Sequence, residues 1–246
     1  MPLDFASLAL VSCAAVLVGF SKTGFPGAAI PAVALMAAAF QDNAQLSVGE
    51  LLVVLLVGDV VAVGCFRRHT QWSRLRVLFP FVVAGMVPAY AVLAWLDDRR
   101  FRWVLGLLIL ALLGLEFLRQ RLGWNHVTKQ AWFVRGMGFL AGFGSTVANA
   151  GGPMMTIYLL GQETSKEQFI GTCAWVFFLL NLAKLVPFSL QGMITPQTVR
   201  IGLAISPVAI VGGVLGVWLL PRVPQRAFNA AVSLLAALAA LWLVVG

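Results

Sequence analysis

Long apolar runs succeed one another along almost the whole chain, and they decide what it can fold into. They read as Leu3–Phe20, Gly24–Phe40, Leu46–Phe66, Leu75–Leu96, Phe101–Leu118, Ala131–Val147, Gly151–Gly161, Phe169–Leu190, Val199–Leu220 and Ala227–Val245. A helix needs about 20 apolar residues to cross about 30 Å of hydrocarbon. Strands of a membrane barrel are about 10 residues long and alternate in polarity, which these runs do not. A soluble domain must turn a large share of its residues to water. With 61% hydrophobic and 11% charged residues in 246, this chain cannot. A soluble enzyme, a disordered chain and a disulfide scaffold are excluded. What remains is a polytopic helical membrane protein with room for roughly eight spans and almost none for an extramembrane domain.

Two stretches are interrupted. Ser21-Lys22-Thr23-Gly24-Phe25-Pro26-Gly27 breaks the first, and Gly144-Ser145-Thr146-Val147-Ala148-Asn149-Ala150-Gly151-Gly152-Pro153 breaks the second. Gly and Pro break helices and each break carries polar side chains, so broken or re-entrant helices are predicted. The breaks recur at matching places. At a shift of 123, Gly19, Phe20 and Thr23 fall on Gly142, Phe143 and Thr146. At 122, Pro31, Gly49, Asp59 and Phe66 fall on Pro153, Gly171, Asn181 and Phe188. At 127, Pro80, Gly85 and Phe101 fall on Pro207, Gly212 and Phe228. The order, a break and then three spans, predicts an all-α membrane protein of two inverted repeats, each a broken or re-entrant helix hairpin plus three transmembrane helices. Residues 1–118 form the first repeat, 119–131 a cytoplasmic linker and 132–246 the second repeat, in one integrated transmembrane domain.

The net charge of +8 would suggest nucleic acid in a soluble protein, but here the basic residues gather in short loops. Arg67, Arg68, Arg74, Arg76, Arg119, Arg121, Lys129, Arg135, Lys166, Arg222 and Arg226 fall on one side, and Arg99, Arg100, Arg102 and Arg200 on the other. Basic loops stay in the cytoplasm. This puts both termini outside. An odd number of spans after each hairpin inverts the second half relative to the first, a common transporter architecture.

The few ionisable residues deep in apolar runs are Lys22, Asp59 and Lys184. Each costs roughly 2.5–3.5 kcal/mol at mid-membrane on insertion scales, so each is a functional candidate. Glu50 and Glu116 lie nearer segment ends and are expected to reach the interface. Asp59 lies about 13 Å along a helix from Glu50, near the middle of its span. Asn181 and Lys184 share one helix face. Lys22, Asp59, Asn181 and Lys184 are therefore expected around the two breaks, where two cations against one carboxylate leave room for an anion. A structural ion pair between Asp59 and Lys22 or Lys184 is the alternative. Helices restarting at the breaks would offer free N–H groups and a partial positive charge. Gly24, Gly27, Gly151 and Gly152 would let a ligand approach. Ser21, Thr23, Ser145, Thr146 and Asn149 would supply donors that replace the hydration shell of a small oxyanion. The glycine pairs Gly138/Gly142 and Gly212/Gly216 have the spacing that packs helices closely.

Other chemistry is not indicated. Cys13, Cys65 and Cys173 sit in apolar runs without a CxxC pair and read as small buried residues. His69 and His126 lie in separate loops, so no metal site is expected, and no cofactor. Ser21-Lys22-Thr23 lacks the GxxxxGK[ST] spacing of a phosphate loop. No basic stretch precedes the first apolar run, so a cleaved signal peptide is not expected.

The run Gly19-Phe-Ser-Lys-Thr-Gly-Phe-Pro-Gly27-Ala-Ala-Ile-Pro31, with Gly142-Phe-Gly-Ser-Thr, Gly151-Gly152-Pro153 and Gly171-Thr172, resembles the sulfite and organosulfonate exporter family (TauE/SafE) over nearly the whole chain. Val147-Ala148-Asn149 departs from a plain glycine-rich second motif. The resemblance implies a bacterial inner-membrane secondary transporter, not an enzyme, exporting sulfite, sulfoacetate or a related small sulfur-containing anion. It assigns the family's repeated motif to Ser21–Gly27 and Ser145–Pro153. The expected mechanism is alternating access, with the bilayer and the anion as partners. Protons are a candidate coupling ion carried by Asp59, and a homodimer is an open option. An anion or weak-acid channel and an intramembrane enzyme are the rival classes. The enzyme would need a nucleophile with a base in reach, and Asp59 is the lone deep carboxylate.

Overall fold

The computed structural model describes residues 5–25, 28–40, 44–95, 130–149, 151–228, 230, 231 and 234. The predicted span Phe101–Leu118, the linker up to residue 129, most of Ala227–Val245, and Pro26 and Gly27 lie outside the described residues. All regular structure among the described residues is helical. The helices are α1 (Phe5–Thr23), α2 (Ala29–Ala39), α3 (Ala44–Phe66), α4 (Trp72–Trp95), α5 (Ala131–Ala148), α6 (Gly152–Leu160), α7 (Lys166–Leu190) and α8 (Pro196–Leu219).

Among the described residues, five stretches are long and apolar enough to cross a membrane: Phe5–Thr23, Leu46–His69, Trp72–Leu93, Lys166–Leu190 and Pro196–Arg222. Helices α2 and α6 have 11 and 9 residues. At 1.5 Å per residue they reach roughly half of a 30 Å hydrocarbon layer. Many large apolar side chains on the spans point outward, among them Val60, Val87, Val186, Leu203, Val214 and Trp218. These faces suit lipid. Cys173 is buried, but Cys13 and Cys65 are exposed. An apolar run does not distinguish a protein-facing from a lipid-facing position, which is why all three read alike in sequence.

Both breaks begin one turn later than the sequence pattern suggests. Ser21, Lys22 and Thr23 complete the last turn of α1, and Ser145 and Thr146 lie inside α5. None of these side chains forbids helix. At the second break Asn149 turns left-handed (φ 54°) and its N–H bonds Ser145 O at 2.9 Å. Asn is the usual substitute for Gly at such a cap. Pro153 then sits in the first turn of α6, where its missing N–H costs nothing. At the first break the Gly24 N–H closes on Phe20 O at 2.8 Å, and α2 starts at Ala29.

The most extensive packing joins α1 to α8 and α4 to α5. Glycines bring both seams close. A Cβ on Gly19 would meet the Ala209 carbonyl and one on Gly212 that of Val16. On the other seam, Gly85 meets the Phe139 carbonyl and Gly142 that of Val82. Helix α3 lies between α1, α7 and α8. Gly49 near its start abuts the Met193 carbonyl, as Gly171 near the start of α7 abuts the Phe66 carbonyl.

Candidate functional site

The bends bring both breaks to one cavity, with α3 and α7 completing its wall. It holds about 480 Å³ of empty space, its open mouth included, and is lined by Ser21 and Lys22 from α1, Ala29 from α2, Leu55 from α3, Ser145 and Asn149 at the end of α5, Gly152 from α6, and Cys173, Ala174, Phe177 and Asn181 from α7. Ala29 and Gly152 are the first residues of α2 and α6, and no side chain caps either helix start. Uncapped N–H groups at a helix N-terminus carry partial positive charge.

Lys22 Nζ lies 2.7 Å from Asp59 Oδ1. The Lys22 side chain keeps 9% exposure while Asp59 has none, so the cation faces the cavity and the carboxylate stands behind it. Lys22 also lies 4.8 Å from the centre of the Phe177 ring, a cation–π contact. Asn181 Nδ2 donates to Asp59 Oδ2 at 2.6 Å. Of the two pairings open in sequence, Asp59 takes Lys22.

Lys184 is fully buried and does not line the cavity. Its ammonium lies within bonding distance of Ser145 O (2.6 Å), Ser145 Oγ (3.0 Å), Asn149 Oδ1 (2.9 Å) and Asn181 Oδ1 (3.0 Å). Three protons over four acceptors leave none for a ligand. The cation also sits at the carbonyl end of α5, where positive charge is favoured. Lys184 thus fixes the left-handed Asn149 and sets the second break.

The remaining expected site residues are distributed as follows. The Ser21 hydroxyl donates to Val18 O at 2.7 Å within its own helix. Thr23 turns to α8 and donates to Gly213 O at 2.6 Å. Gly24 packs against Gly216, and Gly151 against Ala141 and Phe177. Thr146 is buried, and its hydroxyl has no partner among the described residues. Gly27 is outside the described residues. Asn149 Nδ2 is a buried donor without a partner among the described residues, at the edge of the cavity. Glu50 does not reach an interface: it has 0% exposure. Beside it on α3, Gly49 abuts the Met193 carbonyl of the α7–α8 connection.

Sequence reasoning did not single out Leu55, Ala174 or Phe177, and read Cys173 as an ordinary buried residue. The signal was present on α7. Cys173, Ala174, Phe177 and Asn181 fall at the helical repeat of one face, so counting back from Asn181 finds the wall.

The sequence pattern of the sulfite exporter TauE/SafE family matches residues 8–243. No curated protein and no solved structure matches the chain. The family match takes in both breaks and every described helix except the first three residues of α1. The chain therefore belongs to the TauE/SafE family of sulfite exporters and is a multi-pass membrane transporter.

Proposed function

We propose that this protein exports a small oxyanion, sulfite, sulfoacetate or a related sulfonate, and binds it between the two breaks near mid-membrane. The observation that carries this reading is the cavity wall. Two uncapped helix starts, the Lys22 ammonium and the Asn149 amide converge there, and among the described residues the amide has no partner and no carboxylate lines the cavity. Such a wall replaces a hydration shell with N–H groups and excludes cations by the same charge. Lys22 is the charged ligand and Asn149 with the helix N-termini the neutral ones. Lys184 acts behind them by holding Asn149.

Alternating access follows from two inverted repeats, residues 1–118 and 132–246, moving against each other. The repeat reading is supported by the two seams. Gly19 and Gly142 are matched positions, as are Gly85 and Gly212, and α1–α8 and α4–α5 use them in the same way. Asp59 and Asn181, also matched, meet each other. In a bacterial inner membrane with the arginine-rich turns inside and both termini in the periplasm, an anion leaves with about 2.3 kcal/mol per charge per 100 mV of inside-negative potential.

The test is flux into proteoliposomes. Labelled sulfite and sulfoacetate should enter down their gradients with saturation and counterflow. Lys22→Ala should cut that uptake by at least about tenfold, the 1.4 kcal/mol-per-decade equivalent of one charge-assisted contact. No flux or binding across a panel of oxyanions, with Lys22 and Lys184 both dispensable, would overturn the proposal.

A further inference from the structure

Glu50 lies two turns into α3, on the end of the helix away from Arg67 and Arg68. It is fully buried, and neither carboxyl oxygen has a hydrogen-bond partner among the described residues. Among the described residues the ion pair on α3 is Lys22–Asp59, about 13 Å further along the helix. Of the helices packed on α3, α2 carries no titratable side chain. Lys22 of α1 is engaged with Asp59, and Lys184 of α7 with Ser145, Asn149 and Asn181. On α8, Arg200 is exposed and forms no ion pair with Glu50. What faces the carboxyl from α8 is Gly202, whose Cβ would stand 3.2 Å from Glu50 Oε1.

Packing does not require a carboxyl at this place. At the shift that matches Gly49 to Gly171, Glu50 corresponds to Thr172. Thr172 donates to Gln168 O at 2.7 Å and accepts from the Gln71 N–H at 3.1 Å, so its hydroxyl is fully used by the fold. The same kind of helix start carries a satisfied hydroxyl in one half and an unsatisfied carboxyl in the other. A buried carboxylate with neither a cation nor donors is a prohibitive arrangement, and a proton removes its charge. Five residues on, Leu55 lines the anion cavity, so the carboxyl is about 8 Å of helix rise from the proposed substrate.

We propose that Glu50 is a proton-binding site of the transport cycle. It is a carboxylic acid in this conformation, and it exchanges its proton with water when the α3–α8 seam at Gly202 opens. The coupling role rests on the transporter reading above. Each turnover moves one proton on Glu50 and one anion on Lys22, and nothing else is consumed.

Two measurements on the full chain test this. In proteoliposomes with a pH-sensitive dye inside, sulfoacetate is the probe, because it stays ionised near neutral pH and carries no proton of its own. An imposed pH gradient should drive its accumulation in the wild type. Glu50→Gln should lose that response down to the level without a gradient, and lose the dye signal, while keeping downhill exchange. Glu50→Asp should restore it in part. Separately, infrared spectra of the purified protein should contain the carbonyl stretch of a protonated carboxyl that disappears in Glu50→Gln and survives in Asp59→Asn. A Glu50→Gln variant that keeps the gradient response, or leaves the infrared band unchanged, overturns the proposal. Absence of any flux in the wild type with the band lost in Glu50→Gln would overturn the transport reading and the coupling role, and leave only a proton-binding carboxyl.

Discussion

Alanine at Gly142 and at Gly136 should change stability in opposite directions, although both lie on α5 six residues apart. A Cβ on Gly142 would stand 2.7 Å from the Val82 carbonyl carbon and 3.0 Å from its Cα, where ordinary contact begins at 3.4 Å. The obstacle is backbone, with the Val82 carbonyl oxygen nearest of all, so no rotamer relieves it, and α4 and α5 must part by more than the roughly 0.7 Å that the carbonyl carbon alone would require. Overpacking of this kind costs up to about 3 kcal/mol, and the alanine recovers about 1 kcal/mol of helix propensity. The expected net loss is about 2 kcal/mol. Gly136 has nothing within 4 Å of its Cβ position, so alanine there should gain up to about 1 kcal/mol. Reversible unfolding in mixed micelles, followed by tryptophan fluorescence, measures both. Gly142→Ala at wild-type stability, or Gly136→Ala equally destabilised, would refute the close-seam argument.

Other expectations concern the polar network. Asp59→Asn leaves the Lys22 ammonium without its counter-charge, which should cost roughly 3–5 kcal/mol in the absence of ligand. Saturating sulfoacetate should return much of that loss in a thermal-shift assay, and a variant insensitive to the anion would argue against Lys22 as its ligand. Asn149→Ala removes a Lys184 acceptor and puts an alanine at φ 54°, for a loss of roughly 2–4 kcal/mol. Asn149→Gly should recover only the backbone share of that loss, and a full recovery would mean that the Lys184 contact contributes nothing.

Much of this molecule was legible in its sequence because bilayer thickness sets helix length. Among the described residues, span starts and ends fell within a few residues of the apolar runs, and the glycine and proline clusters located both breaks. The meeting of Lys22, Asp59, Asn181 and Lys184 was also legible, since so few polar groups are available to satisfy one another. Rotational setting was not. Thr23 faces α8, Lys184 is spent on a helix end and Glu50 is fully buried, and nothing local announces any of these. Helices that are apolar on every side carry no pattern that says which face meets protein. The glycine contacts between helices, with the few polar bonds such as Thr23 to Gly213 and Asn181 to Asp59, fix that choice.

The connectivity of the polar network has a mechanical consequence. Lys22 is neutralised by Asp59 within α1–α4, and Lys184 is satisfied within α5–α8 by Ser145, Asn149 and Asn181. Within that network, a single bond, Asn181 to Asp59, crosses between the two sets of helices. Shearing α3 past α7 therefore separates no pair of opposite charges. Within the charged network it breaks one hydrogen bond to a carboxylate, roughly 1.5–3 kcal/mol, and the Lys22–Phe177 cation–π contact. The buried charges thus form two islands, each keeping its own ion satisfied, so the alternating access proposed above would strand no ion in the bilayer.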